Sequence, residues 1–314
     1  MSVPAAFDAA VDLHGSTADD FRVVVGTNHG ASSADVRTLL WHVHGGVITD
    51  ETPVFLRQFG GDVAYEQARR VWVFGSGKLW LITDQTQLST SNTVSKLYEL
   101  DDASTTALGG SALDAARTLN ALFAVADSDV YLGGTAGGMP LLLHYDGNTF
   151  STITLPGAKF AESVQAISAL SASEVYVLTS MGRLLKGSGS QFTQVAATPK
   201  ATSSLFSLVA ALGSVYLLEE EVLGSSAVQW TGAALRPECL PTSDGLVDYL
   251  AAFTTGSVVA ARKDELWVKA NDGWKSLPKA PAPYPAVWGS GTQTTYAFVP
   301  DVYAHGNGAA YRLP

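Results

Sequence analysis

A single cysteine, Cys239, rules out any internal disulfide in this 314-residue chain, so packing and hydrogen bonds must hold the fold. Charge is scarce. Asp, Glu, Lys and Arg together make 15% of the residues, against about 25% in average soluble domains. Basic residues are the scarcer sign, with 19 Lys and Arg against 29 Asp and Glu, a net charge of −10 and a pI near 5.0. No Lys/Arg cluster offsets that balance. Phosphate backbones need a basic surface, so a nucleic-acid partner is excluded. Long apolar runs are missing as well: Leu205–Leu218 is broken by Ser207, Gly213 and Ser214 and is too short to span a bilayer. Membrane insertion is therefore not expected. The opening MSVPAAFDAAVDL lacks a basic region followed by an apolar core, so no secretory signal is read and a cytoplasmic location is expected, with export of a processed chain left open.

What the chain does contain is a repeat. FAVADSDVYLGG at Phe123–Gly134 and AISALSASEVYVLTS at Ala166–Ser180 share one design: an apolar strand, a short polar turn, and a second strand opening with a polar residue, an aliphatic and an aromatic. Anchoring on the bulky residue of that second strand gives Phe21, Trp80, Tyr131, Tyr176, Tyr216, Val259 and Tyr296, with gaps of 59, 51, 45, 40, 43 and 37 residues. A four-stranded propeller blade takes roughly 40–50 residues. The composition agrees with stacked sheets: 46% hydrophobic residues and 30 glycines supply apolar strands and many turns. A doubly wound α/β fold would need helices of about 10–15 residues between strands, and the intervals are too short and too rich in Gly, Ser and Thr.

The expectation is an all-β, seven-bladed β-propeller of four-stranded antiparallel blades, with one or two short helices in early insertions. The blades fall near residues 7–53, 71–109, 119–156, 164–199, 204–241, 248–280 and 285–314 of a single domain, 1–314, with 54–70 as an insertion. Helix starts are read at Asp62 and Ser111. Asp146–Gly147 and Asp272–Gly273 are read as tight hairpins. The last blade is expected to pack on the first without sharing a strand.

VWVFGSG at Val71–Gly77, HYDGNTF at His144–Phe150, NDGW at Asn271–Trp274 and VWGSG at Val287–Gly291 carry a resemblance. The repeat resembles those of bacterial propellers related to photosystem II assembly factors and, more loosely, sialidase-type Asp-box repeats. The resemblance covers most of the chain and implies a fold. It carries no activity over: no full Ser-x-Asp-x-Gly-x-x-Trp box occurs, and the sialidase arginines and Tyr/Glu pair have no counterparts.

Chemistry is thin. His42 and His44 in LLWHVHGG point to one face of a strand, a metal-ligand spacing, with Asp50 or His29 as conceivable third ligands; they are read as strand-edge histidines and no metal is proposed. Glu219, Glu220 and Glu221 alternate in direction and do not converge on one ion, so they are read as a solvated loop edge. Cys239 lacks the positive surroundings that activate a thiol. The GSG turns at 75–77 and 289–291 lack the helix a phosphate loop needs. No cofactor is expected.

The functional reading is a non-enzymatic interaction or scaffold module whose partner is another protein. A sugar- or lactone-cleaving enzyme using carboxylates such as Glu66, Asp248 or Asp264 stays open as an alternative, as does a lectin. Loops between a blade's second and third strands emerge on the same end as the crossovers to the next blade, and the extra length falls there: Thr27–Asp35, Pro53–Arg70, Gln85–Ser95, Gly109–Arg117 and Glu219–Ser226. That end is expected to meet the partner, with Phe55, Leu56 and Phe59 as apolar anchors, Arg57, Glu66, Arg69 and Arg70 as orienting charges, and Glu219–Glu221 as further contacts. Packing between the first two blades is the competing role for the three apolar residues.

Overall fold

The structure is a computed structural model describing residues 9–17, 20–28, 36–45, 47–57, 63–87, 92–101, 104–198, 208–221, 224–238, 249–252, 258–262, 265–270, 273–276, 286–290, 294–301 and 307–313. Strands dominate it, and every sheet is antiparallel with its strands in chain order. Blade one holds β1 (Ala9–Thr17), β2 (Asp20–Asn28), β3 (Val36–His44) and β4 (Val47–Asp50), followed by α1 (Val54–Arg57). Blade two holds β5 (Val63–Val73), β6 (Leu79–Gln87), β7 (Thr93–Leu100) and β8 (Thr105–Leu108), followed by α2 (Ser111–Asp114). Blade three is β9 (Thr118–Ala126), β10 (Asp129–Ala136), β11 (Met139–Tyr145) and β12 (Phe150–Ile153). Blade four is β13 (Val164–Ser171), β14 (Glu174–Thr179), β15 (Arg183–Ser188) and β16 (Gln191–Ala197). Blade five is β17 (Leu208–Ala211), β18 (Ser214–Glu221), β19 (Gly224–Trp230) and β20 (Leu235–Pro237). Blade six is β21 (Tyr249–Ala252), β22 (Val258–Arg262), β23 (Glu265–Ala270) and β24 (Gly273–Ser276).

These six four-stranded blades are joined by a three-stranded sheet, β25 (Ala286–Ser290), β26 (Thr294–Asp301) and β27 (Asn307–Leu313). The expected seventh four-stranded blade is thereby corrected to six complete blades. The reason is the register: Asp301 ends β26 and pairs with Asn307, so the segment 285–314, expected to hold four strands, holds three among the described residues. The chain divides into two compact units, Met1–Gly109 with Tyr284–Pro314, and Gly110–Pro283. In the first unit β1 lies against β25 and β26, and the two sheets share no strand.

Within each unit the core lies between successive blades. Tyr131 of β10 packs with Val175, Val177, Leu185 and Phe192 of blade four. Tyr176 of β14 packs with Val215, Leu217 and Val228 of blade five, and Tyr216 of β18 with Leu250, Val258 and Ala260 of blade six. Blades covered on both faces need apolar residues at consecutive positions, which is why β14 reads Val-Tyr-Val-Leu without alternation. Polar inner-strand side chains stitch neighbouring blades: the Val71 amide donates to Asp12 Oδ2 at 2.8 Å, the Val73 amide to His14 Nδ1 at 3.1 Å, and the Ala210 amide to Ser168 Oγ at 2.9 Å. Burial pushes the His14 pKa from 6.5 down to about 3, so the ring is neutral and its nitrogen accepts.

Two four-residue helices are described, one opening at Ser111 as expected and the other at Val54–Arg57, where no helix start is expected. Asp62 lies outside the described residues, and Val63 already opens a strand. The boundary expected at 71 thus moves back to Val63, and Glu66, Arg69 and Arg70 belong to β5 rather than to an insertion. The Asp146–Gly147 hairpin forms as expected: Asp146 Oδ1 accepts the Asn148 and Thr149 amides at 2.9 and 2.8 Å, and Gly147 takes φ 95°.

Candidate functional site

In blades three and four, an antiparallel meander puts the second-to-third-strand turns and the outgoing crossover at one end, and the first-to-second and third-to-fourth turns at the other. The crossover from β12 to β13, residues 154–163, reads TLPGAKFAES. It is pinned at both neighbours. On the blade-three side the Ala161 amide donates to the Gly138 carbonyl at 2.8 Å, in the turn between β10 and β11. On the blade-four side the Ser180 amide donates to the Ser163 carbonyl at 2.9 Å, and the Ser163 amide donates back to Ser180 Oγ at 3.1 Å.

Beneath the crossover lies a buried ion pair. Arg183 Nε and Nη2 meet Glu162 Oε1 and Oε2 at 2.7 and 2.8 Å, and Arg183 Nη1 donates to the Pro156 carbonyl at 2.5 Å. Glu162 Oε2 also accepts the Lys159 amide at 3.0 Å. Burial pushes the Glu162 carboxyl up, but the Arg183 hydrogen bond, with those from Thr179 and the Lys159 amide, outweighs it and holds the group below its ordinary range. A two-pronged guanidinium–carboxylate contact fixes orientation as well as distance, so the crossover has one shape.

That shape presents Phe160 outward at 75% exposure. Its ring lies over Gly138, where a Cβ would fall 2.6 Å from Cε2, so glycine is required there both for this approach and for its φ of 78°. The next residue, Ala161, holds φ 62°, a left-handed conformation that costs a non-glycine residue roughly 1–2 kcal/mol. Of the four large hydrophobics exposed among the described residues, Met139, Phe160 and Met181 all lie at this end of blades three and four, and Val47 is in the hairpin end of blade one.

The residues expected to make the contact are placed differently. Leu56 is 2% exposed, in a cluster with Val24, Leu40, Ala68 and Val71, so the anchor role expected of it is corrected to a core role. Phe55 is half-buried and stacks on Tyr98 with ring centroids 4.2 Å apart. Glu66 is buried, not an exposed orienting charge, and accepts a hydrogen bond from Thr83 Oγ1 at 2.6 Å. Burial and then that carboxylate push the Tyr98 hydroxyl above its ordinary value, so it stays protonated. Arg69 is exposed and paired with Asp84 at 2.9 Å; Arg70 Nη1 donates to the Arg69 carbonyl at 3.2 Å. Arg57 lies in α1. Glu219, Glu220 and Glu221 belong to β18, paired with Ser226, Ser225 and Gly224, so the solvated loop expected there is a strand hairpin, and Glu219 is buried. Phe59, His29, Cys239, Asp248 and Asp264 lie outside the described residues.

A second polar arrangement recurs at the hairpin end of the middle strands of blades one to five. The residue two before the anchor aromatic meets the residue opposite that aromatic: Lys78 with Glu99 at 2.9 Å, Asp129 with His144 at 2.8 Å, Glu174 with Lys186, and Ser214 with Gln229 at 2.8 Å. The aromatics join in: Trp80 Nε1 donates to Glu99 at 3.0 Å, the Tyr131 ring stacks on His144, and the Tyr176 hydroxyl donates to Glu174 at 2.9 Å. Blade one follows the same pattern with Arg22 in the aromatic position. Asp20 pairs with His44 and Arg22 with His42 across β2 and β3, so Phe21, taken as the anchor, is one residue out of phase. Arg22 Nη1 meets Asp20 Oδ1 at 3.0 Å and Arg22 Nε meets Glu51 Oε2 at 2.8 Å, while His42 lies between the same two carboxylates. Burial raises the Asp20 carboxyl, but the His42 hydrogen bond and the charges of His42, Arg22 and His44 outweigh it, leaving a net lowering.

No family model matches the chain, and no curated protein matches it. Solved structures do. YCF48 from Cyanidioschyzon merolae is 12% identical at a TM-score of 0.61, over 100% of this chain and 97% of that one. A structure of YCF48 bound to D1 peptide is 11% identical at a TM-score of 0.62, over 99% and 95%. The β-propeller domain of the trilobed protease from Pyrococcus furiosus is 9% identical at a TM-score of 0.59, over 99% and 94%. No helix among the described residues is long and apolar enough to cross a membrane. What these likenesses establish is the fold: an all-β propeller of four-stranded antiparallel blades with almost no helix.

Proposed function

We propose that the chain is a non-enzymatic protein-interaction module that grips a partner protein at the crossover end of blades three and four, with Phe160 as the central anchor and Met139 and Met181 beside it. The observation that carries this reading is a large aromatic side chain held out at 75% exposure by a crossover whose own polar groups are tied to both neighbouring blades. An apolar ring left in water is unfavourable by roughly 25 cal/mol for each Å² that a partner would cover. Rigid presentation removes the ordering cost that weakens floppy contacts, and the strained backbone at Ala161 is retained beside the presented ring. Met residues adapt to irregular surfaces, which suits them to flank such an anchor. The partner is a protein surface with a pocket for one aromatic ring. A propeller of the same fold, YCF48, has been solved with a peptide bound, which supports the class of function without identifying the partner.

Photo-crosslinking tests the reading. Benzoylphenylalanine at position 160 should form one dominant adduct that excess wild-type chain competes away and excess Phe160→Ser chain does not. The same probe at Val47, exposed at the hairpin end of blade one, should not form it. Equal adducts from both positions, or equal competition by both chains, would overturn the proposal.

A further inference from the structure

Blade one departs from the other blades at the polar positions of its middle strands, and the departure has the composition of a ligand set. The position occupied by His44 holds Asp101 in blade two, Asp146 in blade three, Ser188 in blade four and Thr231 in blade five. The position occupied by His42 holds Glu99, His144, Lys186 and Gln229. Among these five blades, only blade one carries histidine at both, opposite an aspartate.

We propose that Asp20, His42 and His44 form a binding site for a first-row divalent cation of the zinc type, with Glu51 orienting His42. Strand geometry places the three together: His42 and His44 are two apart on one face of β3, and Asp20 is cross-strand from His44. His42 Nε2 is 2.6 Å from Asp20 Oδ1, His44 Nδ1 is 3.8 Å from Asp20 Oδ2, and one ligand atom from each residue lies within 4.8 Å of the others. Tetrahedral ligands at zinc distances sit about 3.4 Å apart, so side-chain shifts of under about 1 Å complete the set.

The surroundings fit a metal as well as the ligands do. His42 Nδ1 lies 2.7 Å from Glu51 Oε1. Nε2 lies 2.6 Å from Asp20 Oδ1, so an ion held by Nε2 and Asp20 would take the place of the hydrogen between them while Nδ1–H donates to Glu51, the arrangement that outer carboxylates impose on metal-bound histidines. Arg22 ties Asp20 Oδ1 to Glu51 Oε2 and so holds both carboxylates in place while Asp20 Oδ2 faces His44. Side-chain exposure of 72% at His44 gives an ion a route from solvent and leaves room for a water ligand. The competing account is that Arg22 and His42 already neutralise the two carboxylates and the network is purely structural.

Calorimetry with zinc chloride on the untagged full chain separates the two. The expected result is one saturable zinc per chain, an affinity at least tenfold weaker in His44→Ala, and one about ten- to a hundredfold weaker in Glu51→Gln. His144→Ala, in the matching position of blade three, should bind as wild type. Melting curves without metal identify any variant that has lost its fold, and cobalt substitution gives a visible spectrum that reports the ligand set independently. Absence of saturable zinc binding, or binding that His44→Ala leaves unchanged, would overturn the proposal and return the cluster to a structural role.

Discussion

The chain leaves blade one and blade three by connections of the same type, and each carries a phenylalanine a few residues after a proline: Pro53 and Phe55 in the first, Pro156 and Phe160 in the second. The first folds inward. The Glu51 amide donates to the Leu40 carbonyl at 3.0 Å and the Leu40 amide to Thr52 Oγ1 at 2.9 Å, which draws the segment onto β3 and lets Leu56 sink between blades one and two. The second spends its polar contacts on the turns at either side and on Glu162 and Arg183 beneath it, so the side chain left over, Phe160, points out. Length does not decide which connection leaves an apolar side chain exposed. What decides it is where the polar groups of the connection are satisfied, because that fixes which apolar side chain remains uncovered.

The largest expected effect breaks the second connection. Glu162→Ala leaves Arg183 buried without its carboxylate and should destabilise the chain by about 3–5 kcal/mol, measured by urea unfolding. Partner capture should fall with it, since Phe160 loses its fixed position. Replacing both partners, Glu162→Leu with Arg183→Met, should recover most of that stability.

Acid sharpens the contrast more gently. His14, beside β5 in the first unit, has a folded pKa of about 3, below its ordinary 6.5, so its stability contribution is complete above pH 6.5 and is lost as pH falls toward 3. The slope is at most about 1.4 kcal/mol per pH unit. Glu162 is also depressed, but from an ordinary 4.5, so its contribution is complete above that value and is lost only as pH falls through the folded one. Urea midpoints followed from pH 7 to pH 3 should therefore decline in two stages. His14→Gln should flatten the first stage and Glu162→Gln the second.

Much of the fold was legible because one sequence device repeats. Trp80, Tyr131, Tyr176 and Tyr216 each follow a polar residue by two positions in a second strand, and all four are buried anchors. Blade one misled the same reading, because Arg22 takes the aromatic's position and Phe21 is the nearest aromatic in sequence. The three-stranded sheet was missed because the repeat was counted on anchor residues, and Tyr296 supplies one whether its sheet has three strands or four. Phe160 was illegible for a different reason: the Glu162–Arg183 pair that holds its crossover spans 21 positions, and nothing local marks an apolar residue as uncovered. The available signal was a lone aromatic between Lys159 and Glu162 in a segment opened by Pro156 and Gly157. Asp20 was likewise hidden as a neighbour of His42 and His44, since only the register of β2 against β3 brings it there.

The contrast between the two connections is tested most directly by measuring Leu56→Ala and Phe160→Ser side by side for unfolding free energy and for affinity to the partner isolated by crosslinking. Leu56→Ala should lose about 2–5 kcal/mol of stability, as buried leucines do, while the folded fraction binds at wild-type affinity. Phe160→Ser should stay within about 0.5 kcal/mol of wild type and bind at least tenfold more weakly. A Phe160→Ser chain that unfolds as easily as Leu56→Ala, or that binds its partner undiminished, would contradict the account.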